Sequence, residues 1–141
     1  MRLMKKHESI QKVMTTSPIT VQKGQKLSEV NAIFREHNIH HVPVLDHKKP
    51  VGMIAEADLL RLIYDAGNTD SRMQDTMIDQ QHTISDVMTT ELKTLNTSST
   101  VRDAAELLSD SRYHSVIVLE NGNIAGIVTT TDLIHYLCEQ F

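Results

Sequence analysis

Val13-Met-Thr-Thr16 recurs as Val87-Met-Thr-Thr90, 74 residues further along the chain. The same offset carries Ile10 onto Ile84, Thr20 onto Thr94, His40 onto His114 and Val42 onto Val116. It carries Val44-Leu45 onto Val118-Leu119, Gly52 onto Gly126 and Asp58-Leu59 onto Asp132-Leu133. No gap is needed over about fifty residues, and chance matches would scatter over several offsets. Substituted pairs keep their character: Leu27 with Val101, Ile33 with Leu107, Ile54 with Val128. The chain is an internal duplication.

Each copy has the same pattern. Leu27, Val30, Ile33 and Phe34 follow helical spacing, as do Val101, Ala104, Leu107 and Leu108. Thr100-Val-Arg-Asp103 predicts a helix start, with Thr as N-cap and an acid three residues on. A β-rich run follows at 41–45 or 115–119, then a polar turn, Asp46-His-Lys-Lys49 or Glu120-Asn-Gly-Asn123. Asn-Gly at such a turn predicts a hairpin whose second strand is 51–54 or 124–128. A closing helix carries Leu59, Leu60, Leu62 and Ile63, or Leu133, Ile134 and Leu137. The pattern predicts a first repeat over 10–66, a polar linker over 67–83 and a second repeat over 84–141. Each repeat is an extended segment followed by α-β-β-α, an α+β arrangement.

Composition narrows the class. The 141 residues are 40% apolar and 23% charged, an ordinary globular balance for about one domain. The unbroken apolar runs are too short to span a bilayer, and basic residues 1–6 are followed by no leader-like apolar stretch. A single cysteine, Cys138, excludes an internal disulfide frame and suits a reducing, cytoplasmic setting. It has no recognisable activating neighbour and reads as inert. A net charge of −4 provides no basic footprint for nucleic acid. With no Trp, two Phe and three Tyr, the core must be aliphatic. One repeat of this size buries little surface alone, so two related by a pseudo-twofold axis are expected to share a core. Such pairing creates equivalent clefts, and clefts between modules are common ligand sites.

Val-Met-Thr at each repeat start, His40-His-Val-Pro-Val-Leu-Asp46 and Gly126-Ile-Val-Thr-Thr-Thr-Asp132 resemble the cystathionine-β-synthase (CBS) domain, and the tandem resembles a Bateman module. The resemblance covers nearly the whole chain. It implies a regulatory module that needs no cofactor for catalysis. Its ligand would be adenosine-type (AMP, ADP, ATP or S-adenosylmethionine), held in the cleft between repeats. It also implies a disc-like homodimer and a regulated partner protein.

The resemblance carries specific residues. Asp132 and Asp58 match the aspartate that accepts hydrogen bonds from ribose hydroxyls, and Thr129 the phosphate-contacting hydroxyl. Thr129-Thr-Thr-Asp132 is equally a capping box, and a helix N-terminus with spare N–H groups favours anions, so the two roles coexist. Repeat 1 departs from this pattern: Ala55 stands where Thr129 does, and Glu56 adds negative charge. Loss of one charge-assisted hydrogen bond costs roughly 1.5–3 kcal/mol, which predicts unequal sites with the Asp132 site the better for a charged nucleotide.

His40, His41 and His114 fall at the strand entries, where related modules carry His then Arg for phosphate. His41 occupies the Arg position in repeat 1 and Ser115 in repeat 2, so phosphate binding is expected to be weaker and pH-sensitive. The alternative is surface histidines at strand ends. Ile19, Thr20, Lys93 and Thr94 lie on the segments that line adenine in the family. Val42, Pro43, Val116 and Ile117 are candidates for its apolar floor, with strand alternation allowing only some to face it. Plain strand packing explains the same residues. A metal site from His37, His40, His41 and His47 is disfavoured, because adjacent strand residues point to opposite faces. Met73, Met77 and Met88 read as packing the linker and the second repeat's entry onto the core.

Catalysis finds no support. GxSxG is absent, and glycines 24, 52, 67, 122 and 126 form no phosphate-binding loop. The reading is a non-enzymatic sensor. The alternatives are a ligand-free dimerisation or protein-interaction scaffold that docks on a partner through its apolar helices, and an enzyme acting on the nucleotide it binds.

Overall fold

The structure, a computed structural model, describes residues 7–65, 67 and 70–141. Residues 1–6, on which the leader argument turned, lie outside the described residues, as do residues 66, 68 and 69 at the repeat 1–linker boundary. A 3₁₀ turn, Ile10–Lys12, precedes β1 (Thr15–Thr16), β2 (Val21–Gln22), α1 (Leu27–Glu36), β3 (His41–Asp46), β4 (Lys49–Ala55) and α2 (Glu56–Asp65). Then come α3 (Ser71–Gln81), α4 (Ile84–Val87), β5 (Thr94–Asn96), α5 (Val101–Leu108), β6 (Ser115–Glu120), β7 (Asn123–Thr129) and α6 (Thr130–Gln140).

The duplication is visible in the strand pairing. β3 pairs antiparallel with β4, and β6 with β7; each hairpin carries an irregularity, at Val44/Leu45 and at Val118/Leu119, 74 residues apart. β2 adds parallel to β3 and β5 parallel to β6. The Asn-Gly turn takes the left-handed conformation its sequence predicts, with φ 55° at Asn121 and 81° at Gly122.

The chain forms two compact units, and their boundaries differ from those of the repeats. One comprises Met1–Pro18 with Leu92–Phe141, the other Ile19–Glu91. The leading segment of each repeat therefore packs with the other repeat. In the first unit β1 pairs with β7, Thr15 opposite Ile127. In the second, Thr89 bridges to Met53, the same pair shifted by 74 residues. The expected single shared core is instead two, one in each unit, and both repeats contribute to each. Ile10 is buried in the cluster of Ala104, Leu108, Val116, Val118 and Val128. Ile84 is buried with Val21, Leu27, Val30, Val42 and Ile54. Two glycines make the exchange possible: a β-carbon on Gly126 would sit 2.8 Å from the Thr15 carbonyl oxygen, and one on Gly52 would meet the Met88 side chain.

The polar linker contains a helix, α3. Asp70 caps α3, accepting from the Arg72 and Met73 N–H groups, and Ile78 is buried against α1 and its neighbours. Met73, expected to pack, is 50% exposed. Polar contacts complete the docking. Asp79 accepts from the Ser28 N–H at 2.9 Å and from its hydroxyl at 2.5 Å, while Asp75 accepts from Asn31 and Arg35. Buried Ile78 and the carboxylates of Asp75 and Asp79 thus help hold a helix of low hydropathy. In the other unit, Val101, Ala105 and Leu108 of α5 and Leu133, Tyr136 and Leu137 of α6 line an apolar groove of about 170 Å³.

Candidate functional site

The end of each hairpin's second strand leads directly into a helix, which is where the sequence placed the site. In repeat 2, Thr129 is the N-cap of α6. Its hydroxyl oxygen accepts from the Asp132 N–H at 3.1 Å, and its own N–H donates to Asp132 Oδ2 at 2.8 Å. The Thr130 N–H donates to the His114 carbonyl at 3.2 Å, which ties the helix start to the start of β6. Thr129 also lies opposite Ser115 across the hairpin, and the Ile117 N–H donates to the Lys93 carbonyl at 3.0 Å. Lys93, His114 and Thr129 are thereby brought to the same end of one sheet.

This capping leaves chemistry to spare. A hydroxyl accepts and donates, so Thr129 retains its O–H proton for an incoming acceptor. A carboxylate offers about four lone-pair sites, and the backbone contact engages one Asp132 oxygen. Both side chains are half-buried and held in one orientation by the reciprocal bonds.

Repeat 1 has the same backbone and different side chains. The Glu56 N–H donates to the His40 carbonyl at 2.9 Å, matching Thr130 and His114. Ala55 supplies no cap. Glu56 Oε1 instead stands 3.1 Å from His40 Nδ1, and Asp58 pairs with Arg61 at 3.5 Å. The proposed phosphate contact His40 is thus engaged by a carboxylate, and the proposed ribose contact Asp58 by a guanidinium.

The adenine candidates divide by strand face. Val42 and Val116 are fully buried in the two cores, so their side chains are enclosed by protein. Pro43 and Ile117 alternate onto the opposite face and are buried there without joining those clusters. Ile19, Thr20 and Lys93 are half-buried and Thr94 is exposed; His41 is half-buried and His114 exposed. Among the described residues no three His, Cys, Asp or Glu side chains gather as a metal site, and Cys138 is exposed.

Sequence reasoning missed a cluster beside His114. Lys93 Nζ lies 4.8 Å from the centre of the Tyr113 ring, and the Arg112 guanidinium 5.5 Å from it. Asp110 accepts from Arg112 at 2.7 Å, and that contact holds its carboxyl down at about 2. Nothing in the local pattern groups these residues, because Lys93 comes from a different strand start.

The family model for the CBS domain matches twice, over residues 10–65 and 84–139. The chain belongs to the CBS domain family. Among curated relatives, the CBS domain-containing protein YhcV of Bacillus subtilis is 27% identical over 89% of this chain and 82% of its own length. Protein MJ1404 of Methanocaldococcus jannaschii is 26% identical over 95% of this chain, which spans only 33% of that relative. Among solved structures, the CBS domain pair of protein MJ0100, in complex with 5′-methylthioadenosine and S-adenosyl-L-methionine, superposes with a TM-score of 0.73 at 24% identity, covering 92% of this chain and 98% of that one. CBSX2, in complex with AMP, gives a TM-score of 0.76 at 20% identity over 94% and 97% of the two chains. The CBS-pair fold is therefore shared along nearly the full length. No helix among the described residues is long and apolar enough to cross a membrane.

Proposed function

We propose that this CBS pair is a non-catalytic regulatory module of the cytoplasm. It binds an adenosine-containing ligand (AMP, ADP, ATP or S-adenosylmethionine) and passes ligand occupancy to a partner protein. The observation that carries the reading is the reciprocal Thr129–Asp132 cap at the end of β7. It fixes a hydroxyl donor and a carboxylate acceptor one helical turn apart. Ribose hydroxyls donate to Asp132, and a phosphate oxygen accepts from the Thr129 hydroxyl. His114 adds a donor, and Thr94 and Ile117 border the base. MJ0100 and CBSX2, which share this fold, hold adenosine compounds, which supports the ligand class. The signal is allosteric to the extent that the ligand binds two arrangements of the module with different affinity.

The module works as a homodimer in this reading. Leu60 and Ile134, equivalent by the 74-residue offset, are 52% and 53% exposed on the closing helices, and Leu137 is 39% exposed beside Ile134. Apolar residues repeated at matching outward positions suit a twofold contact with a second copy. The same surface favours a second reading, a ligand-free scaffold.

A thermal-shift panel of AMP, ADP, ATP and S-adenosylmethionine on wild type and Asp132→Ala decides between them. A ligand at a hundred times its Kd adds about 2.7 kcal/mol, a rise of roughly 5–10 °C for this size. A shift lost in Asp132→Ala supports the sensor. No shift at millimolar ligand removes it in favour of the scaffold.

A further inference from the structure

The two repeats present different charge at equivalent places in their sites. Where repeat 2 has Thr129-Thr130, repeat 1 has Ala55-Glu56, on a backbone tied the same way to the preceding strand entry. A carboxylate therefore opens α2, its side chain 30% exposed and one oxygen 3.1 Å from His40 Nδ1. A second difference lies at the strand starts. Lys93, held over the Tyr113 ring beside Arg112, is matched in repeat 1 by Ile19, Tyr113 by Ile39 and Arg112 by Asn38. Repeat 2 gathers Lys93, Arg112 with its partner Asp110, and a hydroxyl at this end of its sheet; repeat 1 gathers Glu56 with its partner His40, and the aliphatic Ile19 and Ile39.

Resting on the reading that each repeat takes an adenosine-type ligand, we infer that Glu56 sets the specificity of the first repeat against phosphate. That site takes an adenosine derivative whose 5′ substituent is uncharged or cationic, a thioether or a sulfonium, while the second repeat takes the nucleotide. A like charge set against phosphate disfavours its binding, and building a repulsion against the wrong ligand is a general route to specificity. A phosphate at the start of α2 would face the Glu56 carboxylate with no hydroxyl donor at Ala55. A sulfonium there meets an opposite charge, and a thioether finds Ile19 and Ile39 at the same sheet end. One chain then reads two ligands of different charge.

The test is titration calorimetry of the full chain with ADP, 5′-methylthioadenosine and S-adenosylmethionine, on wild type and on the double variant Ala55→Thr/Glu56→Thr, which installs the repeat 2 pair. Wild type is expected to bind one ADP per chain and to bind methylthioadenosine or S-adenosylmethionine alongside it. The double variant is expected to bind a second ADP at least tenfold more tightly than wild type does, and to lose S-adenosylmethionine affinity. Unchanged urea midpoints report that the variant is folded. Two equal ADP sites in wild type would overturn the inference. So would competition between ADP and S-adenosylmethionine for a single site, or a double variant that still binds one ADP. Wild type that binds ADP but neither of the other two overturns this inference and leaves the proposed function standing. Absence of binding by all three overturns this inference, and AMP and ATP in the thermal-shift panel then decide the proposed function.

Discussion

Met88 packs onto the α-carbon of Gly52 so closely that a β-carbon there would lie 2.7 Å from Met88 Cγ. Met14 repeats the contact at Gly126, where the Thr15 carbonyl oxygen also crowds the space. Each glycine belongs to one repeat's hairpin and each methionine to the other repeat's leading segment. The short segments that open the repeats are thus seated on a strand surface without a side chain. This explains why Gly52 and Gly126 hold the same register, and why both repeats open with Val-Met-Thr.

The two glycines differ in what an added methyl group would strike. At Gly52 it meets only the Met88 side chain, from Cβ to sulfur; at Gly126 it meets backbone as well. Gly126→Ala is expected to cost about 2–3 kcal/mol and Gly52→Ala about 1 kcal/mol, by urea denaturation. Adding Met88→Ala to Gly52→Ala should recover part of its loss, whereas Met14→Ala should not rescue Gly126→Ala. Equal costs at the two positions would contradict the role assigned to the Thr15 carbonyl.

The linker helix does for α1 what a local threonine does for α5. Thr100 caps α5 in a capping box with Asp103, but the equivalent position before α1 is Lys26, whose N–H is bonded by Glu29 while its side chain supplies no cap oxygen of the usual kind. Asp79 reaches across from α3 to the Ser28 N–H instead. Asp79→Ala is expected to lower stability by about 1–2 kcal/mol, within the usual range for loss of a cap. Lys26→Thr completes a local box with Glu29 and should restore about half of that. Failure of Lys26→Thr to help would place the contribution of Asp79 in α3 docking rather than in capping α1.

Arg112 holds the Asp110 carboxyl at about 2, below its ordinary value of 3.8. A carboxylate with a lowered folded-state value contributes stability that is fully present above its unfolded value and is lost as pH falls through the folded one. The contribution of this pair should therefore be constant at neutral pH and fade between about pH 4 and pH 2. Carbon-13 titration of the carboxyl should find its midpoint near 2 in wild type and close to the ordinary value in Arg112→Ala. A wild-type midpoint near 3.8 would show that the contact does not persist in solution.

Much of this was legible in the chain because duplication supplies its own alignment. The hairpins, all four long helices within the repeats and the Thr129–Asp132 cap follow from local pattern: alternation, helical spacing, an Asn-Gly turn and a capping box. The segment exchange was not legible, since Thr15 pairing with Ile127 is set by tertiary packing over a separation that no window of sequence contains. The helix in the linker was missed for a related reason. Its sequence, Ser71-Arg-Met-Gln-Asp-Thr-Met-Ile-Asp-Gln-Gln81, has little apolar periodicity, and α3 is held by Asp75 and Asp79 against partners on α1. Polar docking leaves no hydrophobic stripe to read. At the site, Glu56 was visible as a charge, but its pairing with His40 depends on the strand-to-helix turn that brings residues 40 and 56 together.

The outward residues of the closing helices test the dimer. Leu60 and Ile134 are each about half exposed, on helices whose inner faces are already occupied by Leu59 or Leu133. Burying an aliphatic side chain of this size stabilises by about 1.5–3 kcal/mol, and a twofold contact counts each residue twice. Leu60→Glu and Ile134→Glu are therefore each expected to weaken self-association by at least a hundredfold, measured by sedimentation velocity across micromolar concentrations. Because both positions face water in one copy, the variants should keep the wild-type urea midpoint under conditions where the chain is monomeric. If wild type sediments as a monomer at every concentration, the surface belongs to a different protein. In that event the scaffold reading gains, and the glutamate variants become the tool for mapping that partner's contact.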